Sequence, residues 1–324
     1  MRGRGSAARA GSIALTLVLT AIVFLLALGS RMGIVDHPPI YDELYQLMPA
    51  VSWQTEQSFA VLSGTYDRAA PFTQPIAFSF DVLNERPVAA ARMIPTVLPG
   101  AALVAIMFFW ARQVAGIVPA CITAFFLILW PNGIEVSQYI RFYALQGLCF
   151  VSAAILIYTA LTVRWRLISR RRLLVDAAAL LLLALRLQMM TLIGAGAIGL
   201  WVAIVFLPGW LQAYPKLWFL LAGGVLLVGG VLASGVINDT LVWMWTTYQW
   251  EPWPPLNDTF FYHRDFRDNY PTFWPLFPIA AIIALRANFK VASFCLILFA
   301  VTFVIQSFGG LKNIRYLYPT MPFF

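Results

Sequence analysis

The chain has 324 residues, of which 61% are hydrophobic and 11% charged, with a net charge of +8. A soluble domain carries about 25% charged residues, so this composition excludes a soluble globular protein. The basic balance is no sign of nucleic-acid binding, because the arginines and lysines cluster at the ends of apolar runs, where they act as topology signals. Cys121, Cys149 and Cys295 all lie inside apolar runs, and neither they nor His37 and His263 form a metal or disulfide pattern.

Nine apolar segments approach the ~20 residues needed to cross a bilayer. They cover roughly 12–30, 94–111, 114–130, 143–162, 173–188, 190–207, 216–236, 273–286 and 291–308. The first follows Arg2, Arg4 and Arg9 and ends near Ala27-Leu28-Gly29. Its apolar run exceeds the ~7–15 residues of a signal peptide, so it reads as a retained span. A tenth span is expected to begin at Tyr316, and the chain stops inside it at Phe324. The expected architecture is an all-α polytopic transmembrane bundle of about 9–10 spans, forming a single membrane domain over 1–324. A first outer loop occupies 31–93, spans two to nine occupy 94–308, and the further span starts within 309–324.

Loop charges set the orientation. Arg112, the Arg164–Arg172 cluster, Lys216, Arg286 and Lys290 all fall on one side if the N-terminus is cytoplasmic. Every acidic residue except Asp176 then falls on the opposite face. That face is expected to be the working surface. In its long first loop, Leu44, Leu47, Met48, Val51, Phe59 and Leu62 recur near helical spacing, which predicts an interfacial helix over 41–63. A second short helix is expected around 76–84, after Pro71 and Pro75.

Asp42 and Glu43 stand where the chain leaves the first span. Charges near hydrocarbon are costly and tend to mark function. Neighbours on a helix point about 100° apart, so the two do not form a facing dyad. One can act as a general base while the other makes a structural bond, and both can equally serve as first-turn acids. Arg92 is either a snorkelling interfacial arginine or an anion partner. Arg141, beside Tyr139 and Tyr143, suits bidentate anion binding, with an ion pair to Glu135 or a first-loop acid as the alternative. Lys312 and Arg315, next to Tyr316, suit either a leaving phosphate or lipid headgroups. Arg186, between two apolar runs, is a weaker candidate for the same role. The aromatic stretch from Trp243 to Tyr262 suits an interface or a sugar face. Asp265 and Asp268 lie among Arg264 and Arg267 and are expected to pair with them, not with a metal.

These motifs, in this order, resemble the membrane-embedded GT-C glycosyltransferases that use lipid-phosphate sugars, including protein O-mannosyltransferases and lipid A aminoarabinose transferases. The carrying residues are Tyr41-Asp42-Glu43-Leu44-Tyr45, Arg92-Met93-Ile94-Pro95, Arg141-Phe142-Tyr143 and the segment from Lys312 to Pro319, with Tyr66 to Thr73 also similar. The resemblance implies transfer of a sugar from a polyprenyl-phosphate donor to a hydroxyl of a glycan, lipid or protein at the outer face, with inversion. Asp42 would be the general base, and Glu43 would orient the acceptor or the loop. Arg92, Arg141, Tyr143, Lys312, Arg315 and Tyr316 would bind substrate. No cofactor or metal is implied, and the site is expected on the periplasmic side of a bacterial inner membrane. A transporter or a lipid-linked polysaccharide ligase or polymerase is the alternative reading. Transporters favour charges at the midplane and repeated halves, and neither is evident here.

Overall fold

A computed structural model describes residues 3–61, 64–65, 70–163, 168–234, 258–309 and 312–324. Each of the nine apolar segments contains a helix. The first span is α1 (Gly3–Arg31), and the first outer loop holds α2 (Tyr41–Glu56), a two-stranded hairpin (Ala60–Val61, Gly64–Thr65) and α3 (Ala70–Leu83). Next come α4 (Val88–Arg92), a π-turn (Met93–Val97) and α5 (Leu98–Val114), which together form one long apolar helix. The chain continues through α6 (Ile117–Leu129), α7 (Pro131–Gln138), α8 (Tyr143–Thr162) and α9 (Arg170–Leu187). The later helices are α10 (Thr191–Val205), α11 (Leu207–Ala213), α12 (Leu217–Ala233), α13 (Phe261–Asn269), α14 (Phe273–Ala287) and α15 (Phe289–Phe308).

Among the described residues, four helices are long and apolar enough to cross a membrane, or up to seven if each bent pair forms one span. The nine or ten spans expected include α9 and α12, which fall outside this count of the described residues. α9 holds Arg170, Arg171, Arg172, Asp176 and Arg186 within its 18 residues, and α12 is 17 residues long. Where the start of a tenth span is expected, the chain forms 3-10 turns at Ile314–Tyr316 and Met321–Phe323. Pro319 and Pro322 lack the N–H donors a helix needs there. The aromatic residues Trp243 to Trp253 and the stretch Tyr66 to Ala69 lie outside the described residues.

The bends have local causes. α6 and α7 meet at 56°, and Trp130 between them is extended because Pro131 disfavours a helical residue before it. Pro131 then starts α7, where its missing N–H costs nothing. α13 and α14 meet at 97°, on either side of Pro271.

The helices divide into two compact units: residues 1–192 with 318–322, and residues 193–317 with 323–324. In the first unit α5 is central. Phe108 and Ala111 of α5 bury against Ala120 and Ala124 of α6, with Leu19 and Val23 of α1 packed on them. In the second unit Trp201 donates to Ser293 Oγ (3.2 Å) and meets the Phe294 ring edge-on. Phe266, Trp274, Phe277, Phe299, Phe303 and Phe324 form an aromatic cluster beside them.

A buried polar knot holds the first unit near the end of α1. Arg31 donates from Nε to Ser137 Oγ (3.3 Å), and from its terminal nitrogens to the Ala27 and Leu127 carbonyls (both 3.1 Å). Tyr318 stacks on Trp130 and lies 3.5 Å from the Ser137 hydroxyl. Glycines make the room. A Cβ on Gly100 would stand 2.1 Å from Ser137 Oγ, and one on Gly147 would stand 2.5 Å from the Tyr318 ring. Gly100→Ala is therefore expected to destabilise the chain by about 1–3 kcal/mol, as overpacking does. Gly29→Ala, in α1 with nothing within 4 Å, is expected to be neutral or stabilising by up to about 1 kcal/mol. Thermal unfolding in detergent measures both, and equal behaviour of the two would refute the crowding argument.

Candidate functional site

The site in the first unit grows from the start of α2. Pro38 and Pro39 keep the preceding chain extended, so the helix begins at Tyr41 with Asp42 and Glu43 in its first turn. Glu43 turns inward. Its Oε2 accepts from the Ile40 backbone N–H (2.9 Å), which caps the helix end, and its Oε1 accepts from the Ile140 N–H (2.7 Å). Arg92 holds both oxygens bidentately, with Nε at 3.0 Å and Nη2 at 2.7 Å. Both side chains are at most 1% exposed.

The rest of the Arg92 guanidinium ties down the loop that follows α1. Nη1 donates to the carbonyls of Ile34 (2.8 Å), Val35 (3.0 Å) and His37 (2.5 Å), and Nη2 donates to that of Pro38 (3.2 Å). Arg92 is thus a clamp on four backbone carbonyls and one carboxylate. The π-turn begins at the next residue, and Thr96 in that turn returns a hydrogen bond to the Arg92 carbonyl.

Asp42 turns the other way. Its side chain is 43% exposed, and Arg141 Nη2 lies 3.9 Å from its Oδ2. Arg141 also donates from Nη1 to the Asp42 carbonyl (3.1 Å). Its guanidinium lies 5.7 Å from the centre of the Phe142 ring, and its buried Nε–H has no partner among the described residues. The bend between α6 and α7 and the short loop after α7 bring Ile140 and Arg141 to α2. Tyr143, the first residue of α8, is buried next to Phe142. Tyr41 and Tyr45 flank Asp42 along α2, with Tyr41 72% exposed and their hydroxyls 2.9 Å apart. That hydrogen bond pushes the Tyr45 phenol above its ordinary pKa, with the Asp42 charge a smaller contributor.

Lys312, Arg315 and Tyr316 belong to the second unit. Lys312 is 1% exposed and donates from Nζ to the Gly309 carbonyl (2.6 Å); burial lowers its pKa. Asn313 caps the following 3-10 turn by accepting from the Arg315 N–H (3.1 Å), and Tyr262 donates to the Asn313 carbonyl (3.0 Å). The Arg315 guanidinium lies 6.0 Å from the centre of the Tyr316 ring. The first unit therefore gathers Asp42, Glu43, Arg92, Arg141 and Tyr143, while Lys312, Arg315 and Tyr316 form a second group on their own unit. Arg31, which reads as nothing special in sequence, holds a buried position. Its signal was an arginine at the far end of an apolar run that already has a basic start. Elsewhere, Arg264 pairs with Asp258, and Arg267 with Asp268 at 2.9 Å.

This arrangement stands on a known fold. The chain superposes on ArnT from Cupriavidus metallidurans bound to undecaprenyl phosphate with a TM-score of 0.69 at 15% identity, covering 97% of this chain and 58% of that one. The same protein in its apo state gives a TM-score of 0.61 at 16% identity, covering 98% of this chain and 58% of that one. The chain therefore shares the fold of ArnT. It spans 58% of the length of ArnT. No protein-family model and no curated protein sequence matches it. The shared fold and the apolar helices together make it an integral membrane protein.

Proposed function

We propose that this protein transfers a sugar from a polyprenyl-phosphate carrier to an acceptor hydroxyl at the outer face of the membrane. The observation that carries the reading is the division of labour between adjacent carboxylates. Glu43 is sealed against Arg92 and two backbone N–H groups, while Asp42 keeps an exposed carboxylate beside Arg141. Support comes from the fold shared with a protein crystallised with undecaprenyl phosphate.

In this reading Asp42 removes the proton from the acceptor hydroxyl as it attacks the anomeric carbon. The anomeric C–O bond to the lipid phosphate breaks, configuration inverts, and the lipid phosphate leaves with the electron pair. Glu43 and Arg92 position α2 and the 34–38 loop. Arg141 faces developing negative charge. The acceptor is a glycan, lipid or protein, and the working face is periplasmic, at a bacterial inner membrane.

The direct test follows a radiolabelled sugar from polyprenyl phosphate to acceptor with the chain in detergent, where no gradient exists. Label moving to the acceptor supports transfer. Binding without movement, alongside uptake in sealed vesicles, would favour a transporter instead. Arg141→Ala is expected to lower the turnover by about 10²–10³-fold, the usual cost of one preorganised charge donor. Unchanged turnover in that variant would remove Arg141 from the mechanism.

A further inference from the structure

We propose that the start of α9 binds an anionic phospholipid. The aliphatic stems of Arg170 and Arg171 border a shallow, open depression of about 530 Å³ together with Leu174, Val175 and Ala178. None of these residues belongs to the candidate site, so the inference stands apart from the transferase reading.

Arg172 is paired with Asp176 (3.9 Å), whereas the side chains of Arg170 and Arg171 form no ion pair or hydrogen bond among the described residues. They sit in the first turn of α9, where the helix dipole disfavours cations, so helix stability does not account for them. Loop charges alone would set topology at any position near the span end. Topology does not require two guanidiniums, without a partner among the described residues, beside an apolar depression.

The floor identifies the ligand class. Leu173, Ala177 and Ala184 face inward and are buried. On the outward side, Leu174, Ala178 and Leu182 follow one another at four-residue spacing, and Leu182 is 67% and Val175 59% exposed. Ala178 is the small residue between two leucines and leaves a dip. A ligand for this surface needs anionic oxygens at one end and hydrocarbon below them. Free phosphate satisfies only the arginines, and an acidic peptide leaves the apolar floor uncovered. A phospholipid with net negative charge satisfies both. Its phosphate would accept forked hydrogen bonds from the guanidiniums, and an acyl chain would lie along Ala178 and Leu182.

The test uses the full chain in detergent. Thermal unfolding is followed while dioleoyl phosphatidylglycerol, dioleoyl phosphatidylcholine or inorganic phosphate is titrated in. Phosphatidylglycerol is expected to raise Tm in a saturable way, and the other two are not. The double variant Arg170→Gln/Arg171→Gln is expected to need about tenfold or more phosphatidylglycerol for the same shift. Arg267→Gln, an exposed arginine on α13, is expected to respond like the wild type. Ala178→Leu keeps both arginines and fills the dip; native mass spectrometry should show it retaining less phosphatidylglycerol than the wild type. An equal response to phosphatidylcholine or to inorganic phosphate overturns the proposal. So does a full phosphatidylglycerol response in the double variant, or unchanged retention in Ala178→Leu.

Discussion

Asp42→Asn is expected to lower sugar transfer by about 10²–10⁴-fold, the usual contribution of a positioned general base. The substitution keeps the shape of the side chain and removes only its charge and basicity. Its structural cost is small. The Asp42–Arg141 pair is 3.9 Å apart and partly exposed on both sides, and such pairs contribute about 0–1 kcal/mol. The variant should therefore be expressed, insert and unfold close to the wild-type temperature while binding donor normally. The comparison with Glu43→Gln makes the assignment falsifiable. If Glu43→Gln is folded and inactive while Asp42→Asn is active, the base is Glu43 and the proposed mechanism fails. The measurement is single-turnover transfer from a labelled lipid-phosphate sugar, paired with a thermal scan of each variant.

Which carboxylate faces inward was not legible in the sequence. Two adjacent acids in a first turn differ only by a rotation of about 100°, and nothing local fixes the sign of that rotation. The partners fix it, and they are remote: Arg92 lies 49 residues from Glu43, and Ile140 lies 97 residues away. The same holds for Arg31, whose partner Ser137 is 106 residues distant. Apolar runs, by contrast, report on their own local environment. That is why the helices at α1, α5, α8 and α15 were readable from hydropathy alone. The run after Lys312 misled for a local reason too. Leu317, Tyr318, Met321 and Phe323 read as the start of a span, yet Pro319 and Pro322 forbid a continuous helix, and the apolar side chains are buried in turns instead.

Arg92→Lys is expected to be nearly as damaging as Arg92→Ala, because the site uses the geometry of the guanidinium and not its charge alone. Lysine carries three donors on a single nitrogen. It cannot span both Glu43 oxygens and also reach the carbonyls of Ile34, Val35, His37 and Pro38. Removing the partner of a buried charge costs about 3–5 kcal/mol, because the remaining ion is left unpaired in a dry setting. Glu43 keeps the Ile40 and Ile140 N–H donors in either variant, which softens the loss toward the lower end of that range. The orphaned carbonyls of the 34–38 loop push it back up. Glu43→Gln/Arg92→Met should recover part of the stability lost in Arg92→Ala, since it removes both charges together, but not the loop clamp or the activity. The readouts separate the roles. Arg92 variants should lower the unfolding temperature and lose transfer, whereas Asp42→Asn should lose transfer alone. If Arg92→Lys unfolds like the wild type and transfers normally, Arg92 is an ordinary interfacial cation, and α2 owes its placement to apolar packing instead.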